Sequence, residues 1–382
     1  MVDIAVVGAG TMGAGISESA ALAGMPVLMM DIREDALDRG LKTIERDLER
    51  RVKKGRLSED ESREVLGRVA TTTSVEDCSS APLVIEAVVE DMDIKRKVFA
   101  DLEGVVGGEA VLATNTSSLS VAGIAAVAER PERVVGMHFF NPVPAMRLVE
   151  VVAGPSTGPS AVARAEEVSE RLGKTPVRVS DTPGFIVNRV ARPFYLEALR
   201  LVEAGGDPRR IDAAIREAGF RMGPLELADL IGHDINLAVS ESLFERYYYQ
   251  PRFRPSHLQR SMVEAGMLGR KSGRGFYDYG SEEKPANEGG VTEPSEDVAL
   301  RVISCIVNEA FLALSEGVAR SEDIDRAMKL GANYPKGPFE WAEEAGARTI
   351  LQTLDSLREV YGDAYLAAPL LRRRGQDRPD FD

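Results

Sequence analysis

Residues 3–31 read "DIAVVGAGTMGAGISESAALAGMPVLMMD", and the order of residue types within them decides the fold. A short apolar run, "DIAVV", is followed at once by Gly8, Gly10 and Gly13. The next segment, "AGISESAALAGM", spaces its small and apolar residues with a helical period, and "PVLMMD" is a second apolar run ending in an acid. Strand, glycine turn, helix, strand is the unit of a parallel sheet with covered faces. Glycines occur in any tight turn, but these lie between a strand and a helix, with Asp31 eighteen residues beyond Gly13. In that setting the first glycine permits the turn, the second lets backbone approach a pyrophosphate, and the third lets helix and strand pack closely. The helix start offers free N–H groups and a positive dipole end to the phosphates. Gly8, Gly10, Thr11, Met12 and Gly13 therefore form the expected dinucleotide cradle. Asp31 would accept hydrogen bonds from a ribose 2′-OH and repel a 2′-phosphate, which favours NAD over NADP. Arg33 softens that preference, and a helix cap is the structural alternative for Asp31.

Outward from this unit the alternation continues. "APLVIEAVVE" (81–90), "AVLATNTSS" (110–118), "RVVGMHFF" (133–140), "MRLVEVVAG" (146–154) and "TPVRVSD" (175–181) are further strand-like runs. The charged segment 35–70 reads as two helices with a turn at Lys54-Gly55. From "TPGFIVNRV" onward the pattern is mainly helical, which places a boundary close to Pro183. The chain has 382 residues, 44% hydrophobic and 28% charged, the balance of a globular protein with more than one domain. A net charge of −14 opposes a broad nucleic-acid-binding face. No stretch approaches eighteen uninterrupted apolar residues, so no membrane partner is expected. Cys78 and Cys305 match no metal-ligand spacing and suggest a reducing compartment, hence a cytoplasmic protein without a bound metal.

"MHFFNPVPAMRLVEVV" (137–152) sets one of only three histidines, His138, in one apolar strand and Glu150 in another. Ligands of doubly wound sheets bind at the carboxyl ends of strands, and His138 falls near such an end. Glu150 is flanked by Leu148, Val149, Val151 and Val152, so an unpaired carboxylate there would incur a cost of several kcal/mol. An imidazole held by a carboxylate is fixed in tautomer and orientation, which suits a general base for an alcohol. Pro142 and Pro144 stiffen the connection between the two. The alternative is a buried histidine satisfied by backbone.

At this point the residues carry a resemblance. "GAGTMG", "VIEAVVEDMDIK", "NTSSLS", "GMHFFNP", "LVEVV", "DTPGFIVNR", "MGPLELADLIG" and "LGRKSGRGFYDY" resemble, in order, the motifs of the L-3-hydroxyacyl-CoA dehydrogenases, nearest to the bacterial 3-hydroxybutyryl-CoA branch. The resemblance implies a Rossmann-type α/β doubly wound domain followed by all-α domains of the 6-phosphogluconate-dehydrogenase C-terminal type. It also implies NAD-dependent, reversible oxidation of (S)-3-hydroxyacyl-CoA to 3-oxoacyl-CoA, with short-chain substrates. On it, His138 is the base and Glu150 its partner, while Ser117 and Asn188 hold the substrate's oxygen and acyl thioester. Their plainer roles are a helix cap and a surface residue. Glu90, Lys95 and Asn115 match cofactor-side contacts, and an acid at a helix start and a solvated lysine are the commoner fates of the first two. The basic run Arg50, Arg51, Lys53, Lys54 and Arg56 is either a solvated helix face or a contact for coenzyme A phosphates, with Lys54 the chosen residue.

Beyond residue 280, "SEEKPANEGGVTEPSED" reads as a linker. The segment after it repeats the first helical region: "EALRLVEAGG…RIDAAI…MGPLEL" aligns with "EAFLALSEGV…DIDRAM…KGPFEW". The expected division is 1–182 for cofactor binding, 183–280 helical, 281–296 linker and 297–382 a degenerate second copy. That copy has no equivalent of "GFIVNR", the place of Asn188 falling near Leu300. By analogy with longer family members, where a duplicate replaces a partner's domain, a monomer or a homodimer is expected. Two other readings compete: a β-hydroxyacid dehydrogenase acting on a free acid, which would resemble enzymes with a lysine base, and a non-catalytic NAD-binding protein of the crystallin or sensing kind.

Overall fold

The computed structural model describes residues 2–280 and 295–376. The expected linker lies almost wholly outside them. The chain folds as two compact units, Met1–Phe185 and Ile186–Asp382.

The first unit runs β1 (Ile4–Val7), α1 (Thr11–Leu22), β2 (Val27–Met30), α2 (Glu34–Lys53), α3 (Glu59–Gly67), β3 (Val69–Thr72), β4 (Leu83–Glu86), α4 (Met92–Glu103), β5 (Val111–Thr114), α5 (Val121–Ala125), β6 (Val134–Phe139), β7 (Leu148–Ala153), α6 (Pro159–Arg171) and β8 (Thr175–Ser180). These strands form one sheet in the order β3-β2-β1-β4-β5-β6-β7-β8. The reversal of order between β1 and β4 is the crevice where doubly wound sheets bind ligands. β1, β2, β4 and β5 are buried at every position, which is why their sequences are apolar instead of alternating, apart from Glu86 and Thr114 at the ends of β4 and β5.

Two features differ from the sequence reading. β3 has no counterpart in it, because "VATT" is half-exposed and lies at the sheet edge. The parallel pattern also stops at β6: β7 runs antiparallel to it, and β8 is parallel to β7. The physical reason is length. A parallel crossover needs a dozen or more residues, whereas only residues 140–147 join β6 to β7.

The second unit is helical: α7 (Val187–Val190), α8 (Arg192–Glu203), α9 (Pro208–Glu217), α10 (Pro224–Ile231), α11 (His233–Arg246), α12 (His257–Glu264), α13 (Ser295–Ser315), α14 (Ser321–Gly331), α15 (Pro338–Ala345), α16 (Ala347–Tyr361) and α17 (Pro369–Gly375). The repeat is visible atom by atom. Asp212 on α9 accepts the N–H groups of Leu225 and Glu226 at the start of α10; Asp325 on α14 does the same for Phe339 and Glu340 of α15. Each acid caps a Gly-Pro turn, and a Cβ on Gly223 or Gly337 would lie 2.3 or 2.1 Å from the capping side chain. The two copies exchange ion pairs reciprocally: Glu197 with Arg301 at 2.5 Å and Glu309 with Arg189 at 2.6 Å. Among the described residues, one helical stretch, Asp297–Ser315 in α13, is long and apolar enough to cross a membrane, and most of it is buried inside the protein.

Candidate active site

The glycine turn fits a dinucleotide on steric grounds. Gly8 has φ +106°, and a Cβ there would lie 2.6 Å from the Ala87 carbonyl oxygen. A Cβ on Gly13 would lie 1.7 Å from the Gly8 carbonyl oxygen, so α1 can approach β1 only without it. Gly10 is different. Nothing lies within 4 Å of its would-be Cβ. It caps α1 without a side chain, and with Thr11 and Met12 it lines a cavity of about 1260 Å³ that also takes in Asp31, Arg33 and Ile94. Backbone thus meets open space where a pyrophosphate would rest on a helix start. Asp31 follows β2, its carboxylate fixed by the N–H groups of Ala9 at 2.9 Å and Arg33 at 3.1 Å. The chain's sequence and these surroundings fit NAD as the dinucleotide.

Glu90, Lys95, Asn115 and Ser117 are brought together past the ends of β4 and β5. Glu90 accepts hydrogen bonds from the Thr116 hydroxyl at 2.6 Å and the N–H groups of Ser117 and Ser118 at 2.9 and 3.0 Å. Burial pushes the Glu90 carboxyl up, but the Thr116 bond, the Lys95 charge and the Ser117 N–H together hold it below the usual glutamate range. Lys95 does not have the solvated position its sequence setting suggested. It is 1% exposed, with its ammonium 2.6 Å from Glu86 and 3.4 Å from Glu90. Glu86 escapes the sequence reading because "LVIE" reads as an apolar strand; it is fully buried and also accepts from Thr114 at 2.7 Å. Asn115 accepts the Phe139 N–H at 2.9 Å, tying the end of β5 to the residue after His138.

His138 and Glu150 stand directly opposite one another in the antiparallel ladder. Glu150 is fully buried and His138 is 6% exposed, with His138 Nδ1 2.6 Å from Glu150 Oε2. A carboxylate accepts only, so Nδ1 carries a proton, and in the neutral imidazole the lone pair is then on Nε2. Phe140 and Phe185 flank the imidazole, with ring centroids 4.4 and 5.7 Å away.

Lys54 caps the C-terminal end of α2 and is exposed. It lines a second cavity, of about 340 Å³, with Arg46, Arg50, Arg51 and Arg56 on one side and the 141–145 segment on the other. The structure adds Arg46 to the basic run and leaves Lys53 outside the lining. Asn188 lies on α7, at the start of the second unit.

The family model described as 3-hydroxyacyl-CoA dehydrogenase, NAD binding domain, matches residues 3–182, and the model for the C-terminal domain of the same family matches 184–279 and again 298–378. The 3-hydroxyadipyl-CoA dehydrogenase of Escherichia coli (strain K12) is 39% identical over 97% of each chain. The 3-hydroxybutyryl-CoA dehydrogenase of Mycobacterium tuberculosis is 46% identical over 72% of this chain and 98% of its own. A crystal structure of 3-hydroxybutyryl-CoA dehydrogenase from Escherichia coli K12 superposes with a TM-score of 0.92, at 38% identity over 98% of both chains. The chain belongs to the 3-hydroxyacyl-CoA dehydrogenase family.

Proposed function

We propose that the chain oxidises (S)-3-hydroxyacyl-CoA thioesters to 3-oxoacyl-CoA, reversibly, with His138 as the general base and Glu150 as the carboxylate that aims it. The observation that carries this reading is the 2.6 Å contact between a buried imidazole and a fully buried carboxylate in register across two strands. Bound NAD supplies the hydride acceptor. The chain's part is to hold the dinucleotide on Gly8, Gly10, Thr11, Met12, Gly13 and Asp31, and to remove the hydroxyl proton at His138 Nε2 as the C3 hydride leaves. The proton's positive charge on the imidazole is met by Glu150, and in the reverse direction the imidazolium polarises the ketone. Ser117 and Asn188 are assigned to the substrate oxygen and thioester, since neutral donors position an oxygen without adding a fixed charge beside the histidine. Glu90, Lys95 and Asn115 are assigned to the cofactor side, where Glu90 also orders the turn that carries Ser117 and Asn115 ties β5 to β6. Lys54 and the arginines of the basic cavity suit coenzyme A phosphates.

The relatives named 3-hydroxybutyryl-CoA dehydrogenase support a short acyl chain, whereas the relative named 3-hydroxyadipyl-CoA dehydrogenase points to a six-carbon dicarboxylic one. The reciprocal Glu197–Arg301 and Glu309–Arg189 pairs support a second helical copy, 297–382, that is structural and stands in for a partner's domain, so a monomer is proposed over a homodimer. Free cysteines at Cys78 and Cys305 suit the cytoplasm. The test is loss of NADH absorbance with acetoacetyl-CoA, followed by a kcat/KM series over acyl lengths. NADH binding without turnover would sink the enzyme reading, and light scattering decides the oligomeric state.

A further inference from the structure

Lys174 immediately precedes β8 in a sequence, "LGKTPV", that gives it no evident task, yet it is one of the few buried lysines among the described residues, 9% exposed. Its ammonium donates to two backbone carbonyls of the segment joining β6 to β7: Val143 O at 2.5 Å and Met146 O at 2.8 Å. A charge-assisted pair of this kind is stronger than two neutral bonds, and burying an ammonium is costly unless such bonds are made.

What those carbonyls belong to gives the lysine its significance. At its start, the 140–147 segment carries Phe140, whose ring packs on His138. In the middle, residues Asn141–Ala145 form one wall of the basic cavity. The segment folds into a turn in which Ala145 and Met146 both donate to Pro142 O, and Val143 rests on α1 close enough that a Cβ on Gly15 would lie 3.0 Å from it. The β-ladder fixes the register of His138 against Glu150, but it ends at Phe139 and resumes at Leu148. The attachment of the segment's middle to β8 is supplied by Lys174. We propose that Lys174 is a positioning residue, which pins the β6–β7 segment so that Phe140 keeps the His138 imidazole in its reactive orientation and the cavity wall keeps its shape. The inference rests on the His138–Glu150 reading above.

The surroundings agree with a lysine held under constraint. Burial, and after it the Arg51 charge on α2, push the Lys174 ammonium down to about 8 against the opposing Glu18 charge from α1. Glu18 is bonded to Asp47 and lies 3.4 Å from Arg51, and all three line the cavity.

The test compares Lys174→Met, which keeps length and loses donors and charge, with Lys174→Arg, which keeps both, and runs His138→Gln beside them. The expected result for Lys174→Met is a kcat lower by roughly 10- to 100-fold, as misplacement on the ångström scale gives. NADH affinity should stay within about twofold, and the pH of half-maximal kcat on the acid side should move, with Lys174→Arg restoring most of the rate. A purely structural lysine would lower the melting temperature while leaving kcat and that pH unchanged in the folded enzyme, and this result overturns the proposal. If His138→Gln keeps its rate, the dyad reading itself fails; if His138→Gln loses it and Lys174→Met does not, only the pinning role falls. Should Lys174→Met not fold, Phe140→Leu reads the same link, and an unchanged rate and acid-side pH there would also overturn it.

Discussion

Replacing Glu150 by glutamine is the sharpest test of the site, because it changes one atom and leaves the volume. In the native structure the carboxylate is fully buried and 2.6 Å from His138 Nδ1. When the base takes a proton, the imidazolium and the carboxylate form an ion pair with charge centres about 4 Å apart, worth about 4 kcal/mol at an effective dielectric of 20. The amide of the Glu150→Gln variant would supply only a neutral hydrogen bond, about 1 kcal/mol net, so about 3 kcal/mol of transition-state stabilisation is lost. At 1.36 kcal/mol per tenfold this is a fall in kcat of about 10²-fold. The loss deepens towards 10³–10⁴ if the amide donates to Nδ1, since that leaves Nε2 protonated and unable to act as base. The assay is steady-state oxidation of 3-hydroxybutyryl-CoA with NADH binding measured by fluorescence as a control. The dinucleotide cradle shares no residue with this pair, so binding should stay within about twofold. A kcat reduced by less than about tenfold, in an enzyme that still binds NADH, would refute the role given to Glu150.

Three further outcomes are expected. Gly10→Ala should fold normally and weaken NADH binding tenfold or more, whereas Gly13→Ala, whose Cβ would lie 1.7 Å from Gly8 O, should destabilise the first unit by about 1–3 kcal/mol; calorimetry and NADH titration separate the two, and equal melting temperatures would count against the packing role of Gly13. Glu18 is pushed up to about 8, first by burial and then by its bond to Asp47, so from its unfolded value of 4.5 up to that point the folded chain retains a proton the unfolded chain has lost; its contribution to stability therefore falls as pH rises, by at most about 1.4 kcal/mol per pH unit, and urea unfolding of Glu18→Gln should show a flatter pH dependence over that window, parallel curves being the contrary result. Glu309→Gln and Glu197→Gln each break a buried ion pair between the helical copies, and each should cost the second unit about 3 kcal/mol in thermal unfolding; a silent variant at either position would mean that the pairs are not equivalent.

Much of the site was legible because its residues are forced by local chemistry. The cradle could be read from glycines whose missing Cβ atoms are sterically required, as Gly8 and Gly13 are, and the core strands from unbroken apolar runs that only a sheet covered on both faces demands. His138 and Glu150 were readable as a pair because a carboxylate among valines needs a partner. What escaped has no local cause. Lys174 and Lys95 are buried by tertiary neighbours, two carbonyls in one case and Glu86 in the other, and neither "LGKTPV" nor "DMDIK" encodes those partners in its own spacing. β3 escaped for the opposite reason: an edge strand half-exposed to water has little apolar signal to show.

The reversal between β6 and β7 bears on where the His138–Glu150 pair sits. In a parallel sheet, residues at the carboxyl edge have their neighbours' carboxyl ends beside them, and those ends open into the ligand crevice. A carboxylate at such an end, like Asp31 or Glu90, is available to ligands and is fixed by N–H groups of the turns. Glu150 is instead the third residue of β7, deep in a strand entering the sheet from that same edge, and only an antiparallel neighbour can set such a position across from His138 near the end of β6. The acid is thereby removed from solvent and ligand while its partner stays near the strand end. This change of strand direction sets Glu150 across from His138 and away from the cavity that Asp31 lines, and the short proline-bearing segment at 140–147, held by Lys174, is the element that makes it.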